Sequence, residues 1–196
     1  IVSEPDITSS DMAKAYLETI KSILQYLNIS DCKMQEGSIR CDVNVSIKPK
    51  GSQTLGTRCE MKNVNTFSGA VRAIEFEIKR QIAMVENGEE IIQQTRRWDD
   101  SKGESFLMRS KEDAQDYRYF PDPDIQPVCF TEDDLKRIKA SLPKLPAERL
   151  TLYIDQYGLS ETDAKIIVND VKLSDFFDEA VSIYPNYKNI CNFVLT

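Results

Sequence analysis

Apolar residues recur every three or four positions in two segments of this chain, as they do in helices that pack one face against a core. The first segment follows Thr8-Ser9-Ser10, residue types that cap helix N-termini, and predicts a helix from about 10 to 27. The second follows Asn65-Thr66 and stops at Asn87-Gly88, residues that tolerate positive φ. It predicts a helix over 67–86 whose apolar stripe belongs to the core.

Strict alternation replaces this spacing from Ile39 to Lys48, where apolar and polar residues take turns as in a half-buried strand. Thr57 to Lys62 alternates in the same way, after turn-forming residues from Pro49 to Gly56. These two segments predict an antiparallel pair of strands. Cys41 and Cys59 are expected on its apolar face.

Two more strand-like stretches, Glu90 to Trp98 and Glu104 to Arg109, flank Asp99 to Gly103, which suits a hairpin turn. Asp116 to Asp124 has two prolines within three residues, so it predicts an ordered loop or an extended segment. From Thr131 onward the pattern is helical.

The predicted fold class is α+β, with an antiparallel sheet and packed helices followed by an all-helical segment. The composition changes near Pro143 to Pro146, which predicts a domain boundary between residues 1–143 and 144–196. Because the chain begins with Ile1 rather than Met, we expect it to be a piece of a longer protein.

The composition of the chain limits the kinds of chemistry and of ligand that it can support. With 41% apolar and 29% charged residues and no long apolar run, the chain is expected to be globular and not to span a membrane. It has no histidine, so any chemistry must use carboxylates, lysine, arginine or a partner. Its five cysteines form no CxxC pair, which fits a reducing compartment.

The net charge of -7 argues against a general nucleic-acid binder. Over residues 33–111, however, basic residues outnumber acidic ones, so an anionic ligand would bind best there.

The predicted strand pair presents charged residues on its polar face. Such a face is either solvated surface with cross-strand ion pairs or the floor of a cleft. In a cleft, acidic side chains hold Mg²⁺ and cationic ones bind phosphoryl oxygens. The residues are Arg40, Asp42 and Asn44 on one strand, and Arg58, Glu60 and Lys62 on the other.

Two further groups of residues each have two interpretations. Arg96 and Arg97, with Arg109 on the next strand, either keep a sheet edge soluble or bind phosphate oxygens. Alternation sends Arg96 and Arg97 to opposite faces, so at most one reaches a given site. Tyr117 to Phe120 interleaves aromatic rings with a cation, which suits either stacking on unpaired bases or filling a core. No glycine-rich phosphate loop is present, so Walker or Rossmann nucleotide binding is not predicted.

Six segments of the chain resemble, in the same order, successive motifs of the B subunits of the aspartyl/glutamyl-tRNA amidotransferases, the GatB family. The resemblance covers essentially the whole chain. The family commonly has Glu-Glu-Gly where this chain has Gln35-Glu36-Gly37. The six segments are Ile1-Val-Ser-Glu-Pro-Asp-Ile7, Glu36-Gly-Ser-Ile-Arg-Cys-Asp-Val-Asn44, Lys62-Asn-Val-Asn-Thr-Phe67, Gln94-Thr-Arg-Arg-Trp-Asp99, Met108-Arg-Ser-Lys-Glu112 and Asp116-Tyr-Arg-Tyr-Phe-Pro-Asp-Pro-Asp124.

The resemblance implies a partial catalytic cradle domain, similar to glutamine synthetase, over 1–143 and the start of a helical domain over 144–196. It implies a carbon–nitrogen ligase with glutamine as the amide donor. ATP, with Mg²⁺, would phosphorylate the side-chain carboxylate of Glu-tRNA(Gln) or Asp-tRNA(Asn), and ammonia from the amidase-type A subunit would displace the phosphate. The implied partners are the A and C subunits of a heterotrimer and the misacylated tRNA. No DNA and no membrane is expected, and the location is the bacterial cytoplasm or an organelle.

The same resemblance implies roles for individual residues. Asp42 and Glu60 are assigned to metal binding or charge positioning. The cationic residues assigned to the phosphoryl group or the carboxylate are Arg40, Lys62, Arg97 and Arg109. Asn44 is a further substrate-binding candidate, and Tyr117, Arg118 and Tyr119 are candidates for shaping the pocket near the tRNA end. Earlier motifs of the family, which include a metal-binding histidine and glutamates, are missing, so the fragment alone is expected to be inactive. The alternative is a noncatalytic tRNA-binding or subunit-docking module.

Overall fold

The structure is a computed structural model that describes residues 1–110 and 120–196, with Arg109 and Ser110 described by their backbone alone. Within these residues the chain forms four strands, seven α-helices and a short 3₁₀-helix at Met34–Glu36. The strands are β1 (Cys41–Val45), β2 (Cys59–Val64), β3 (Gln94–Asp99) and β4 (Glu104–Ser110). The helices are α1 (Ser10–Tyr26), α2 (Phe67–Glu86), α3 (Glu132–Ser141), α4 (Pro146–Asp155), α5 (Glu161–Val168), α6 (Val171–Ile183) and α7 (Tyr187–Leu195).

Contacts group the described residues into two compact units. The sheet unit draws on residues 1–19 and 33–125, and the helical unit on 20–32 and 126–196. The predicted α+β class is confirmed, since one unit contains the sheet and the chain continues as helices. The domain boundary predicted between residues 143 and 144 stays a prediction.

Within the described residues, the strands of the sheet unit lie in the order β1-β2-β3-β4. β1 with β2 and β3 with β4 are antiparallel pairs, as the sequence predicts. β2 and β3, in contrast, are parallel, which corrects the purely antiparallel sheet expected from the sequence. The reason is that α2 carries the chain back past the sheet, so β3 starts beside the start of β2 and runs in the same direction.

β1 is shorter than the predicted segment from Ile39 to Lys48, and at its C-terminal end a side chain of α2 takes over the backbone hydrogen bonds. Gln81 Nε2 donates to the carbonyl oxygen of Val45 at 3.1 Å, and the Ile47 amide donates to Gln81 Oε1 at 3.1 Å. The Gln81 amide thus satisfies two backbone groups at the point where the strand ends.

Helix α2 begins and ends as predicted, and its N-terminus is capped by Thr66, whose Oγ1 accepts a hydrogen bond from the Gly69 amide at 2.8 Å. Only part of the predicted apolar stripe is buried, because Ile74 is 8% exposed whereas Ile82 is 42% and Val85 54% exposed. Most of the buried positions of the helix are small or polar residues instead. The buried residues of α2 are Gly69, Ala70, Ala73, Ile74, Glu77 and Gln81.

The helical unit confirms the predicted helices beyond Thr131. Thr131 and Asp134 form a capping box at the start of α3, and Gly158, which follows α4, has a left-handed φ of +65°. The core of this unit contains Tyr153 and Phe177, both fully buried, with ring centroids 4.9 Å apart.

None of the helices in residues 1–110 and 120–196 combines the length and the apolarity needed to cross a bilayer. The five cysteines are free thiols. Cys59 is fully buried, whereas Cys41 is half-buried.

Candidate active-site face of the sheet

The sheet has two unlike faces, because side chains alternate along each strand. Met61 and Trp98 point to one face and are buried in a core with Ala70 and Ala73 of α2. The residues on either side of Met61 therefore point to the opposite face, which we call the polar sheet face. Alternation and register place Asp42, Asn44, Glu60, Lys62, Thr95 and Arg97 on it.

Three charged side chains meet on the polar sheet face. Lys62 Nζ donates to Asp42 Oδ2 at 3.0 Å and lies 3.2 Å from Glu60 Oε1. The hydrogen bond to Asp42 raises the pKa of Lys62, so its ammonium group is charged at neutral pH. We call Asp42, Glu60 and Lys62 the acid–lysine cluster; of the charged residues that the sequence places on this face, these three are in contact.

The ion pairs of the acid–lysine cluster are too solvated to contribute much to folding. The side chains of Lys62 and Asp42 are 36% and 53% exposed, and that of Glu60 is 17% exposed. Ion pairs with such exposure contribute about 0 to 1 kcal/mol each. Two carboxylates and an ammonium group are therefore held together at a surface that a charged ligand can reach.

Arg97 is exposed and lies in register with Lys62 on the neighbouring strand. Arg96 points to the other face, where its Nε donates to Ser105 Oγ at 2.7 Å and its Nη2 to the Ser105 carbonyl oxygen at 2.8 Å. The predicted separation of the two arginines is thus confirmed. Of the two, Arg97 is the one that belongs to the polar sheet face.

Arg40 and Asn44 lie at opposite ends of β1. Arg40 is exposed just before the strand and lines a pocket of about 460 Å³ with Asn63 and Asn65. Asn44 is exposed and in register with Glu60, and with Asp42 it borders a cavity of about 440 Å³. Both candidates therefore lie near the acid–lysine cluster along the chain, but they line two different pockets.

The remaining candidates are less well placed or lie outside the description. Arg58 is exposed and precedes β2. The backbone of Arg109 pairs with that of Thr95 across β3 and β4. Tyr117, Arg118 and Tyr119 lie outside the described residues, and residues 120–124 form neither helix nor strand.

The two carboxylates of the acid–lysine cluster fit a magnesium ion whose remaining ligands come from a substrate and from water. Within the described residues, no group of three or more His, Cys, Asp or Glu side chains could hold a metal ion by itself. Mg²⁺ in phosphoryl-transfer sites commonly takes one or two carboxylates, with substrate phosphates and water completing its coordination. Asp42 and Glu60, both in contact with the Lys62 ammonium group, match that smaller requirement.

Two features that support the site are not among those predicted from the sequence. Thr95 Oγ1 donates to Glu60 Oε2 at 2.9 Å and thereby fixes the Glu60 carboxylate from β3. The sequence signal for this contact was that Thr95, two residues before Arg97, lies on the same face of the strand as Arg97. On the other face, Glu77 is fully buried and accepts hydrogen bonds from Arg80 and Gln81. The spacing of three and four residues on one helix was the signal for that network.

Comparison with known proteins gives one family and several close relatives. The family described as the GatB/GatE catalytic domain matches residues 1–136. The B subunit of the aspartyl/glutamyl-tRNA(Asn/Gln) amidotransferase from Ruminiclostridium cellulolyticum is 50% identical over 195 residues, which cover 100% of this chain and 40% of that protein. The proteins of the same name from Caldicellulosiruptor bescii and Moorella thermoacetica are each 48% identical, over 100% of this chain and 41% of theirs. This chain thus spans about two fifths of the length of these relatives.

Proposed function

Because the chain belongs to the family of GatB/GatE catalytic domains, we propose that it is part of an amidotransferase B subunit that activates a tRNA-borne carboxylate with ATP and converts it to the amide. The substrate is the side chain of Glu-tRNA(Gln) or Asp-tRNA(Asn). The supporting observation is the contact of Lys62 with Asp42 and Glu60 on an accessible sheet face. Ion pairs of so little value to folding fit a binding role better than a structural one.

The proposed reaction has two steps. In the first, a carboxylate oxygen of the aminoacyl group attacks the γ-phosphorus of ATP; the new P–O bond forms, the bond to the bridging oxygen breaks, and ADP leaves. In the second, ammonia attacks the carbon of the acyl phosphate, a C–N bond forms, phosphate leaves, and the nitrogen loses a proton. Phosphorylation is needed because oxide is a poor leaving group and phosphate a good one.

The polar sheet face supplies charge for the first step. The Lys62 ammonium group and the Arg97 guanidinium group would neutralise oxygens of the transferring phosphoryl group. Asp42 and Glu60 would hold Mg²⁺, which when bound neutralises further phosphate charge. Arg40, Asn44 and Arg109 are proposed to orient the substrate, and Tyr117, Arg118 and Tyr119 to contact the tRNA end.

The proposed partners follow from the same reaction. A glutaminase partner, the A subunit, would supply ammonia by a protected route, since bulk water would protonate it, and a C subunit would complete a heterotrimer. The relatives named above are bacterial, which supports the bacterial cytoplasm as the place of action.

The test is Lys62→Ala in the full-length protein assembled with its partner subunits. We expect ATP-dependent amide formation to fall by about 100-fold or more, because phosphoryl charge is no longer neutralised. Glutamine hydrolysis by the partner glutaminase should continue. Lys136→Ala is the matched control, since Lys136 forms a similarly short but more exposed pair with Asp133 at 3.1 Å.

The two functional interpretations predict different results. A noncatalytic tRNA-binding or docking module would keep wild-type turnover after Lys62→Ala, or lose turnover only through weaker binding of the tRNA or of the partner subunits. Amide formation at the wild-type rate by Lys62→Ala would remove the acid–lysine cluster from the catalytic site.

A further inference from the structure

The pairing of β1 with β2 contains one irregularity, located at the acid–lysine cluster. Cys41 pairs with Val64 and Val43 pairs with Met61, so Asp42 alone lies opposite two residues of β2. Those two residues are Lys62 and Asn63. This is a β-bulge, a feature that re-aims side chains and recurs beside active sites.

The bulge depends on an uncommon backbone conformation. Asn63 has φ +65°, in the left-handed region that most side chains avoid and that Asn tolerates better than others. Its side chain is anchored as well, because Asn63 Nδ2 donates to the carbonyl oxygen of Trp98 at 3.0 Å. The conformation is thus held from the neighbouring strand.

The bulge changes which side chains point to which face. With strict alternation from Met61, Asn63 would be buried and Val64 would join Lys62 on the polar sheet face. In the structure Val64 is only 5% exposed, in the core with Met61, whereas Asn63 is exposed. The bulge therefore places both Lys62 and Asn63 opposite Asp42 in the strand pairing, while the next residue returns to the core.

We propose that Asn63 is a positioning residue, whose left-handed bulge sets the Lys62 ammonium group between Asp42 and Glu60 and thereby sets the rate of carboxylate activation. The inference rests on the proposed function. It assigns Asn63 a role through its backbone rather than through contact with a substrate. A residue that disfavours positive φ should shift Lys62, whereas glycine, which loses only the hydrogen bond to Trp98, should shift it less.

The experiment compares Asn63→Ala and Asn63→Gly in the full-length protein with its partner subunits, with ammonia supplied directly. We expect kcat for ATP-dependent amide formation to fall about tenfold in Asn63→Ala, with KM for ATP changed less than about twofold, because misplacement affects the transition state more than binding. Asn63→Gly should recover at least about a third of the wild-type kcat, since glycine adopts positive φ at no steric cost. Thermal unfolding measured on the same samples separates this from loss of folded protein.

Asn28→Ala is the matched control. Asn28 has φ +52° and belongs to the helical unit, so its replacement carries a similar backbone penalty without involving β2. It should keep the wild-type kcat.

Three outcomes would overturn the inference: a wild-type kcat in Asn63→Ala, an equal loss in Asn63→Ala and Asn63→Gly, or a comparable loss in Asn28→Ala. If Asn63→Ala does not fold, Asn63→Gly decides alone, and a tenfold loss in it refutes the inference. Lys62→Ala, measured alongside, separates the two claims. If it is inactive while Asn63→Ala is wild type, only the positioning role fails; if it is active, the proposed site fails.

Discussion

The sheet unit and the helical unit each bury a charged side chain, and they satisfy it to different degrees. In the sheet unit the charge is Glu77, which is fully buried beneath the sheet. Arg80 donates to both its oxygens, at 2.7 and 2.8 Å, and Gln81 donates to Oε1 at 2.7 Å. Burial acts to raise the pKa of Glu77, but the hydrogen bonds from Arg80 and Gln81 outweigh it and lower the pKa overall.

In the helical unit the charge is Arg149, which is 7% exposed. Its Nη2 donates to Asp175 at 2.7 Å, its Nε lies 3.5 Å from Asp178, and its guanidinium carbon lies 5.0 Å from the centre of the Tyr26 ring. In the described part of the chain, Nε and Nη1 are buried without a hydrogen-bond partner. The Asp175 side chain is 59% exposed, so water screens this pair.

Glu77 belongs to a buried network that supports a strand, whereas Arg149 and Asp175 form a local ion pair. Gln81 joins Glu77 to the backbone of β1, so the network in the sheet unit holds the strand that carries Asp42. A complete buried network costs most when one member is removed, because the remaining members are left buried and unpaired. A pair open to water should cost less.

The largest effect is expected for Glu77→Ala. It leaves the Arg80 guanidinium group, 17% exposed, without its carboxylate. We expect the free energy of unfolding of the sheet unit to fall by about 3 to 5 kcal/mol. Trp98 is the single tryptophan and is buried in the same unit, so its fluorescence during urea unfolding measures the change.

Two further measurements bound this prediction. Glu86→Ala, at an exposed position of the same helix, should stay within about 0.5 kcal/mol of wild type. Because the folded pKa of Glu77 lies below its ordinary 4.5, its stabilisation is full above that pH and is lost as the pH falls through the lower folded value. A Glu77→Ala protein as stable as the Glu86→Ala control would refute the structural role of the network.

The same residues show what the sequence predicts and what it does not. Both ends of α2 are predicted because Thr66 and Asn87-Gly88 are local capping signals. Its buried face is predicted only in part, because Glu77 and Gln81 are polar, and Gln81 binds backbone groups of β1 that are distant in sequence. The parallel pairing of β2 with β3 was readable from the strand–helix–strand order, which favours a crossover.

The candidate site, too, could be predicted from the sequence only in part. Alternation along single strands correctly separates Arg96 from Arg97 and brings Glu60 and Lys62 to one face. Alternation fails at Val64, because a bulge arises from pairing between strands. Asn63 gives a local hint of it, as a residue type that tolerates positive φ.

A smaller effect is expected for Arg149→Met in the helical unit. Methionine keeps much of the side-chain volume, and Asp175 can be hydrated once its partner is gone. We expect a loss of about 1 to 2 kcal/mol in the free energy of unfolding. The near-ultraviolet circular dichroism of the tyrosines during unfolding measures this loss. Lys172→Met, an exposed position on α6, is the control. A loss as large as that of Glu77→Ala would erase the distinction between the two units.

The smallest effect is expected for Tyr153→Phe, which removes one hydroxyl from the helical unit. Tyr153 is fully buried and donates to Asp178 Oδ1 at 2.7 Å, and the ring itself stays in place after the change. We expect the free energy of unfolding to fall by about 1 kcal/mol, the typical value of one such hydrogen bond. Tyr187→Phe is the matched control, since Tyr187 stacks on Tyr157 with ring centroids 4.0 Å apart and phenylalanine preserves that stack. A Tyr153→Phe protein as stable as wild type and as the Tyr187→Phe control would mean that the hydrogen bond to Asp178 contributes nothing to stability.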